Sequence, residues 1–316
     1  MPEPTTPPPP PLSKAKIFLR RMFSFVVLWT IVLTALFSGH KQISDYVFLL
    51  LMVVLAAAGL AEFYGLAARG ELVCFKGWGV LGGVLLMLGT FLNLTGKIGT
   101  SGTPARVNDF ETSFLILFVL GLCLCQFFSR NNTAGILAIS TTLFGLMYVP
   151  WLLNFIQKIY FFPKGVEGQY PLFPNGVEGK YYLLYFILIT KFSDSGAYAV
   201  GSLIGKHKMI PRISPGKTWE GFGGAILGST VASLLFVHFA GHHLVGMTVP
   251  HAVILGIILG VAAVVGDLIE SLFKREAGAK DSGGFFPGIG GILDLLDSLL
   301  FNAPLMYLYL RHVLTR

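Results

Sequence analysis

The residues best suited to chemistry lie in the last fifty positions of this chain and carry carboxylates at helical spacing. Four polar residues occupy one helix face at i, i+3, i+4 and i+7, namely Asp267, Glu270, Ser271 and Lys274. Asp294 and Asp297 are again three apart. Oxygen ligands from two neighbouring helices suit Mg²⁺, whose coordination substrate phosphates usually complete. We therefore predict Asp267, Asp294 and Asp297 as ligands of Mg²⁺ and leave a second cation open.

A basic cluster lies beside these acids. Lys274, Arg275 and Lys280 follow Asp267 closely in sequence and can supply counter-charge to a polyphosphate. Carboxylates next to cations at a membrane edge are typical of metal-assisted phosphoryl or nucleotidyl transfer. Helix capping with a charged loop is the structural alternative.

A second polar group precedes another apolar segment, in "SPGKTWEGFGG". A helix N-terminus with a nearby lysine suits phosphate oxygens, so we predict substrate-binding roles for Ser214, Lys217, Thr218 and Glu220. The "GKT" is not a P-loop, because position 211 is proline and no βαβ pattern surrounds it.

Two ionisable positions fall inside apolar segments. Lys191 and Asp194 are three apart on one helix face, and either an internal ion pair or a site role accounts for them. Glu62 is the main acid of the first half, and we favour an interfacial group satisfied by water or Arg69 over a functional role.

The elements that position these residues are transmembrane helices. The chain is 54% hydrophobic and 12% charged, about half the charged fraction of a soluble domain. Repeated apolar runs predict an all-α polytopic membrane protein with about nine spans, at 22–39, 46–68, 78–96, 112–129, 134–156, 181–204, 219–241, 249–273 and 292–311. We expect a disordered proline-rich tail (1–16), a first region of five spans and an external loop (17–180), and a catalytic region (181–316).

Charge and cysteine content limit the partners. Lys and Arg concentrate in the loops on one side, which predicts a cytoplasmic N-terminus and places the 206–217 and 274–291 loops in the cytoplasm. Anionic lipid accounts for the net charge of +7, so no nucleic-acid partner is expected. The three cysteines give no disulfide framework.

The stretch "SLFKREAGAKDSGGFFPGIGGILDLLDS" (271–298) resembles the signature of phosphatidate cytidylyltransferases, and "SDSGAYAVGSLIGKH" and "SPGKTWEGFGG" resemble that family's upstream segments. The signature has a histidine at position 289 and an arginine at position 295, where this chain has Ile289 and Leu295. The positions that match are Ser271, Lys274, Arg275, Lys280, Asp281, Gly283, Pro287, Gly290, Gly291, Asp294 and Asp297.

The resemblance implies a nucleotidyltransferase that makes CDP-diacylglycerol and pyrophosphate from CTP and phosphatidate. It implies catalytic roles for Lys274, Asp281 and Asp294, and substrate-binding roles for Asp194, Ser271, Arg275 and Lys280 beside the helix-start group. We expect the inner membrane, an active site on its cytoplasmic face and a possible homodimer. The alternatives are a CTP-dependent kinase of a polyprenol-type lipid and a cation-coupled membrane transporter.

Overall fold

Helices account for nearly all of the chain that the computed structural model describes, namely residues 26–27, 29–30, 32–34, 36–37, 40–97, 104–129, 134–162, 179–279, 281–283 and 290–314. The described residues between 26 and 37 are helical, and nine longer helices follow. These are α1 (Lys41–Arg69), α2 (Lys76–Leu94), α3 (Pro104–Phe128), α4 (Gly135–Leu146), α5 (Leu152–Tyr160), α6 (Gly179–Ile204), α7 (Trp219–Ala240), α8 (Val249–Glu276) and α9 (Ile292–Tyr309).

Seven helices in the described part of the chain are long and apolar enough to cross a membrane. They are Gln42–Arg69, Lys76–Leu94, Val107–Phe128, Gly135–Tyr160, Trp219–His243, Val249–Glu276 and Ile292–Leu314. Each coincides with a predicted span, so the all-α, multi-pass architecture is confirmed. Helix α6 forms where span 181–204 was predicted but is not among the seven. Span 22–39 is described only in part, and the count of nine is not confirmed.

Helices α6 and α7 are in backbone contact through small residues. A methyl group placed on Gly196 would lie 2.4 Å from the carbonyl oxygen of Gly224 and 3.1 Å from the Cα of Gly228. Small residues at such crossings let membrane helices approach until their backbones touch. This contact fixes α6, which carries Lys191 and Asp194, against the helix that follows the predicted phosphate-binding segment.

A short antiparallel ribbon replaces the loop that the sequence predicts before α7. Its strands β1 (Lys208–Ile210) and β2 (Ser214–Thr218) pair Lys208 with Thr218 and Ile210 with Ser214. Thr218 then caps α7, because its Oγ1 accepts a hydrogen bond of 3.1 Å from the Gly221 amide. The ribbon pairs backbone groups of a segment in which Pro211 and Pro215 disfavour a helix.

The helix Gly135–Tyr160 contains a π-helical turn at Met147–Trp151, between α4 and α5. Pro150 lies inside this turn and has no amide hydrogen to donate, which favours the wider geometry. The ring of Tyr148 packs 5.3 Å from that of Phe273 in α8 and 6.4 Å from that of Phe301 in α9. The turn therefore joins the first half of the chain to the two helices that carry the acids.

Candidate active site

Three carboxylates from α8 and α9 form a compact acidic cluster. One oxygen from each of Asp267, Glu270 and Asp297 lies within 4.8 Å of the others. Glu270 is 1% exposed and Asp297 is 9% exposed. The two helices touch here, because a methyl group placed on Gly266 would lie 2.5 Å from the Asp297 carbonyl oxygen. Glycine at 266 thus permits the approach that brings Asp267 to Asp297.

Lys274 joins this cluster to the start of α9. Its ammonium lies 2.6 Å from Glu270 Oε2 and 2.7 Å from Asp294 Oδ1. The other Asp294 oxygen, Oδ2, accepts hydrogen bonds from the Gly291 amide at 2.8 Å and from Ser282 Oγ at 2.9 Å. A carboxylate at this position is also stabilised by the helix dipole.

The structure arranges the predicted metal ligands differently from the sequence-based set. Asp267 and Asp297 lie together, with Glu270 as the third member of the cluster. Asp294 is not a member of this cluster, and its oxygens are occupied by Lys274, Ser282 and Gly291. Direct coordination by Asp294 stays a prediction.

The predicted phosphate-binding segment reaches the same cluster from β2. Lys217 Nζ lies 2.8 Å from Asp267 Oδ2 and 3.2 Å from the Val264 carbonyl oxygen. Ser271 Oγ lies 3.5 Å from Asp267 Oδ1. Cations from the ribbon and from α8 therefore flank the acids on two sides.

Three other predicted site residues make contacts at the ribbon or face solvent. Arg275 Nε donates to the Ile213 carbonyl oxygen at 3.1 Å, which fixes the end of α8 against the ribbon turn beside the half-buried Ser214. Glu220 accepts from the amides of Lys206 at 3.1 Å and His207 at 3.2 Å, so it anchors the segment after α6. Asp281 is exposed.

Three positions discussed from the sequence lie outside the described residues. They are Lys280, with its predicted substrate-binding role, and the signature positions Pro287 and Ile289.

Helix α6 adds a third cation and a further acid. Lys191 Nζ lies 3.5 Å from Asp194 Oδ2 and 3.2 Å from the carbonyl oxygen of Leu295, between the two aspartates of α9. Asp194 is also within electrostatic reach of Asp267 and Lys217. The structure thus brings Lys191 and Asp194 to the acidic cluster.

The interpretation of Glu62 as a water-satisfied interfacial acid is corrected by its contacts. Its Oε2 accepts a hydrogen bond of 3.0 Å from the Leu293 amide and lies 3.3 Å from Ser282 Oγ. Glu62 therefore helps to hold the first turn of α9. No short-range pattern reveals a contact across 231 residues, whereas the i, i+3 spacing from Asp267 could have identified Glu270.

The donor set fits a divalent cation. Glu270 Oε2 is paired with Lys274, whereas Oε1 is buried with no hydrogen-bond partner among the described residues. The Tyr148 hydroxyl is likewise buried and unpartnered there, within electrostatic reach of Glu270 and Asp297. Carboxylate oxygens are the ligands that Mg²⁺ prefers, so Asp267, Glu270 and Asp297 could hold it.

Comparison with known proteins shows which family the chain matches. A family model described as "Cytidylyltransferase family" matches residues 19–313. A Staphylococcus saprophyticus protein named phosphatidate cytidylyltransferase is 42% identical over 229 residues, covering 70% of this chain and 80% of its own length.

Two further relatives with the same name match over a shorter region. The Haemophilus influenzae protein is 44% identical over 123 residues, covering 39% of this chain and 43% of its own length. The Staphylococcus epidermidis protein is 46% identical over 129 residues, covering 41% and 48%. The chain thus spans just under half the length of these two relatives.

Proposed function

Since the chain belongs to the cytidylyltransferase family, we propose that it joins CTP and phosphatidate to form CDP-diacylglycerol and pyrophosphate. One observation carries the proposal. The carboxylates of Asp267, Glu270 and Asp297 cluster between the ammonium groups of Lys217 and Lys274, inside a bundle of apolar helices. This arrangement suits two phosphorylated substrates, of which one remains in the bilayer.

The reaction needs no covalent enzyme intermediate. An oxygen of the phosphatidate phosphate forms a bond to the α-phosphorus of CTP, and the bond from that phosphorus to the bridging β-oxygen breaks. The electron pair leaves with pyrophosphate. Because the nucleophile is already an anion, the protein has no proton to remove and acts by positioning and electrostatic stabilisation.

The basic residues bind the triphosphate in this proposal. Lys274 is held between Glu270 and Asp294 by two contacts under 3 Å, so its ammonium is fixed before substrate arrives. Lys217 is fixed similarly by Asp267. Preorganised cations stabilise developing charge without reorganising during the reaction. Arg275 adds a further cation beside the ribbon, and Ser214, Thr218 and Ser271 provide hydroxyl groups for the substrates. Lys280 keeps its proposed substrate-binding role through the resemblance alone.

Asp267, Glu270 and Asp297 would hold the Mg²⁺ of this proposal, and Glu270 is absent from the set of ligands predicted from the sequence. When bound, Mg²⁺ neutralises negative charge on phosphate oxygens and on the leaving group. Asp294 then positions Lys274, unless it also coordinates a second cation. Asp281 is exposed and keeps its proposed catalytic role through the resemblance alone.

The cellular setting is part of the proposal. The bias of basic loops supports an orientation with the ribbon and the end of α8 on the cytoplasmic face, where CTP is available. The inner membrane stays a prediction. A homodimer stays a prediction. Residues 181–316 supply most of the proposed site, and Glu62 and Tyr148 from the first region complete it.

Purified protein in lipid-detergent micelles provides the test. In the presence of Mg²⁺ and phosphatidate, the protein should release pyrophosphate from CTP. With a polyprenol or diacylglycerol in place of phosphatidate, it should not. Release of CDP with a lipid alcohol would instead support the kinase, and absence of turnover with every lipid would contradict both enzyme assignments. Asp297→Asn should abolish pyrophosphate release, because Asp297 belongs to the cluster. Asp109→Asn is the matched control and should retain activity, because Asp109 is exposed on α3.

A further inference from the structure

An apolar cavity of about 690 Å³ lies beside the acidic cluster, between α1, α6, α9 and the described residues of the first helical segment. This volume is typical of sites for small molecules, on the order of 300–1,000 Å³. Aliphatic and aromatic side chains line most of it, among them Trp29, Met52, Leu183, Ile187 and Leu299. Its surface suits hydrocarbon.

The charged and hydroxyl side chains of the cavity are concentrated on α6. Lys191, Asp194 and Ser195 of α6 contribute to the lining beside Leu295 and Leu296 of α9. The Lys191 side chain is 32% exposed and that of Asp194 is 43% exposed. A charged side chain inside an apolar segment is costly and normally serves a site or a partner. Here the side chains of Lys191 and Asp194 border the apolar cavity on one side and the acidic cluster on the other.

The contacts of Lys191 leave its ammonium available to a stronger acceptor. Among the described residues, its hydrogen-bond and ion-pair contacts lie at 3.2 Å (Leu295 carbonyl), 3.5 Å (Ser298 Oγ) and 3.5 Å (Asp194 Oδ2). Hydrogen bonds from a charged nitrogen to an anion are usually about 2.7–2.9 Å long. The long contacts contrast with those of Lys217 and Lys274, each of which lies under 3 Å from a carboxylate. A phosphate oxygen can therefore displace them at little cost.

We infer that Lys191 binds the phosphate of the anionic lipid substrate while an acyl chain of that lipid occupies the cavity behind it. This inference rests on the proposed function and assigns the lipid half of the same site. It assigns the two substrates to different sides of the site. The triphosphate lies with Lys217 and Lys274 toward the ribbon, and the lipid phosphate enters from the α6 side, so that the two meet at the acidic cluster.

The departure at position 295 supports this assignment. The signature has an arginine there, and this chain has Leu295, whose side chain lines the apolar cavity. Lys191 brings a cation from the neighbouring helix to within 3.2 Å of the Leu295 backbone. A positive charge is thus present beside position 295, carried by α6 in place of α9.

The first test measures lipid binding without turnover. Trp29 lines the cavity, so its fluorescence reports on the occupant once Trp78, Trp151 and Trp219 are replaced by Phe. Phosphatidate brominated on its acyl chains should quench Trp29 at low mole fraction in micelles, and brominated phosphatidylcholine should quench it much less. Equal quenching by both lipids would contradict selective binding of a phosphate monoester.

The second test removes the charge. Lys191→Met should weaken brominated-phosphatidate binding and raise the KM for phosphatidate about tenfold, the loss of roughly one charge-assisted contact, with the KM for CTP unchanged. Lys191→Arg should retain most of the affinity. Lys76→Met is the control, because Lys76 is an exposed cation at the start of α2. An equal rise in both KM values would show that Lys191 acts only on the structure.

The third test moves the charge back to α9. Adding Leu295→Arg to Lys191→Met should recover most of the lost phosphatidate affinity, since both side chains start from the same junction of helices. Failure of rescue, in a double variant that retains the KM for CTP, would contradict the equivalence of the two positions.

The fourth test fills the cavity. Ile187→Trp should lower kcat/KM for dioleoyl phosphatidate at least about tenfold and leave dihexanoyl phosphatidate nearly unaffected, because only the long chain reaches the added ring. Equal losses with both lipids would place the acyl chains elsewhere. These results separate the two hypotheses. Selective quenching without turnover would contradict the proposed function alone, and turnover that is insensitive to Lys191 would contradict this inference alone.

Discussion

At the residue scale, the proposed chemistry depends on which carboxylates pair with which ammonium groups. Lys274 is paired with both Glu270 and Asp294, and Lys217 is paired with Asp267. Unpaired charges in such a site would be costly, since the groups lie within apolar helices. Glu270 stands out because it is almost fully buried and keeps one oxygen without a partner among the described residues.

Replacing Glu270 by Gln should weaken the response to Mg²⁺. The substitution preserves shape but removes the charge of one proposed ligand, so we expect the Mg²⁺ concentration for half-maximal turnover to rise by about 10- to 100-fold. Titration of pyrophosphate release with Mg²⁺ measures the change. Glu276→Gln, exposed at the end of the same helix, should behave like wild type. An unchanged Mg²⁺ dependence in Glu270→Gln would exclude this carboxylate from the metal site.

At the element scale, the site exists because helices meet at small residues. Gly266 allows α8 to contact the α9 backbone at Asp297, and Gly196 allows α6 to contact α7. Helical periodicity in the sequence is sufficient to place Asp267, Glu270 and Lys274 on one face of α8. It does not reveal which helix faces them, or the ribbon that delivers Lys217, because those depend on contacts between distant segments.

Substituting Gly266 by Ala should separate α8 from α9. The added methyl group would lie 2.5 Å from the Asp297 carbonyl oxygen, which belongs to a backbone that cannot rotate away. We expect a loss of stability of about 1–3 kcal/mol, and a loss of turnover of about 100-fold from a displacement near 1 Å. Thermal unfolding in detergent and pyrophosphate release measure the two effects.

Gly223→Ala is the control for this substitution. Apart from the adjacent backbone of α7 itself, no atom of the described residues lies within 4 Å of a methyl group placed on Gly223. Its stability should equal or slightly exceed that of wild type, because alanine favours helix. Wild-type turnover and stability in Gly266→Ala would refute the role of this helix contact.

At the scale of the whole molecule, one apolar core extends through both halves of the chain. It includes Leu60 and Phe63 of α1, Val149 of the π-helical turn, and Leu296 and Leu300 of α9. The composition of the sequence is sufficient to predict the membrane helices, and the concentration of polar residues in the last third predicts that the site lies there, where the acidic cluster is found. The sequence does not predict that the first half of the chain contributes to the site, since Glu62 and Tyr148 reach it only through packing.

The orientation of the molecule can be measured by cysteine labelling. In a variant with Cys74, Cys123 and Cys125 replaced by Ser, Lys208→Cys on β1 and Val245→Cys between α7 and α8 lie at opposite ends of α7. An impermeant maleimide should label position 208 only in inside-out vesicles and position 245 only in spheroplasts. The reverse pattern would place the ribbon and the proposed site outside the cytoplasm.

The most direct measurement follows the phosphorus atoms of CTP. Purified protein is incubated with phosphatidate, Mg²⁺ and CTP labelled either at the α- or at the γ-phosphorus, and the lipid and aqueous phases are counted separately. The proposed reaction predicts α-label in the lipid as CDP-diacylglycerol and γ-label in aqueous pyrophosphate, with both transfers abolished in Asp297→Asn and retained in Asp109→Asn. Transfer of the γ-label to lipid, or undiminished transfer in Asp297→Asn, would contradict the account.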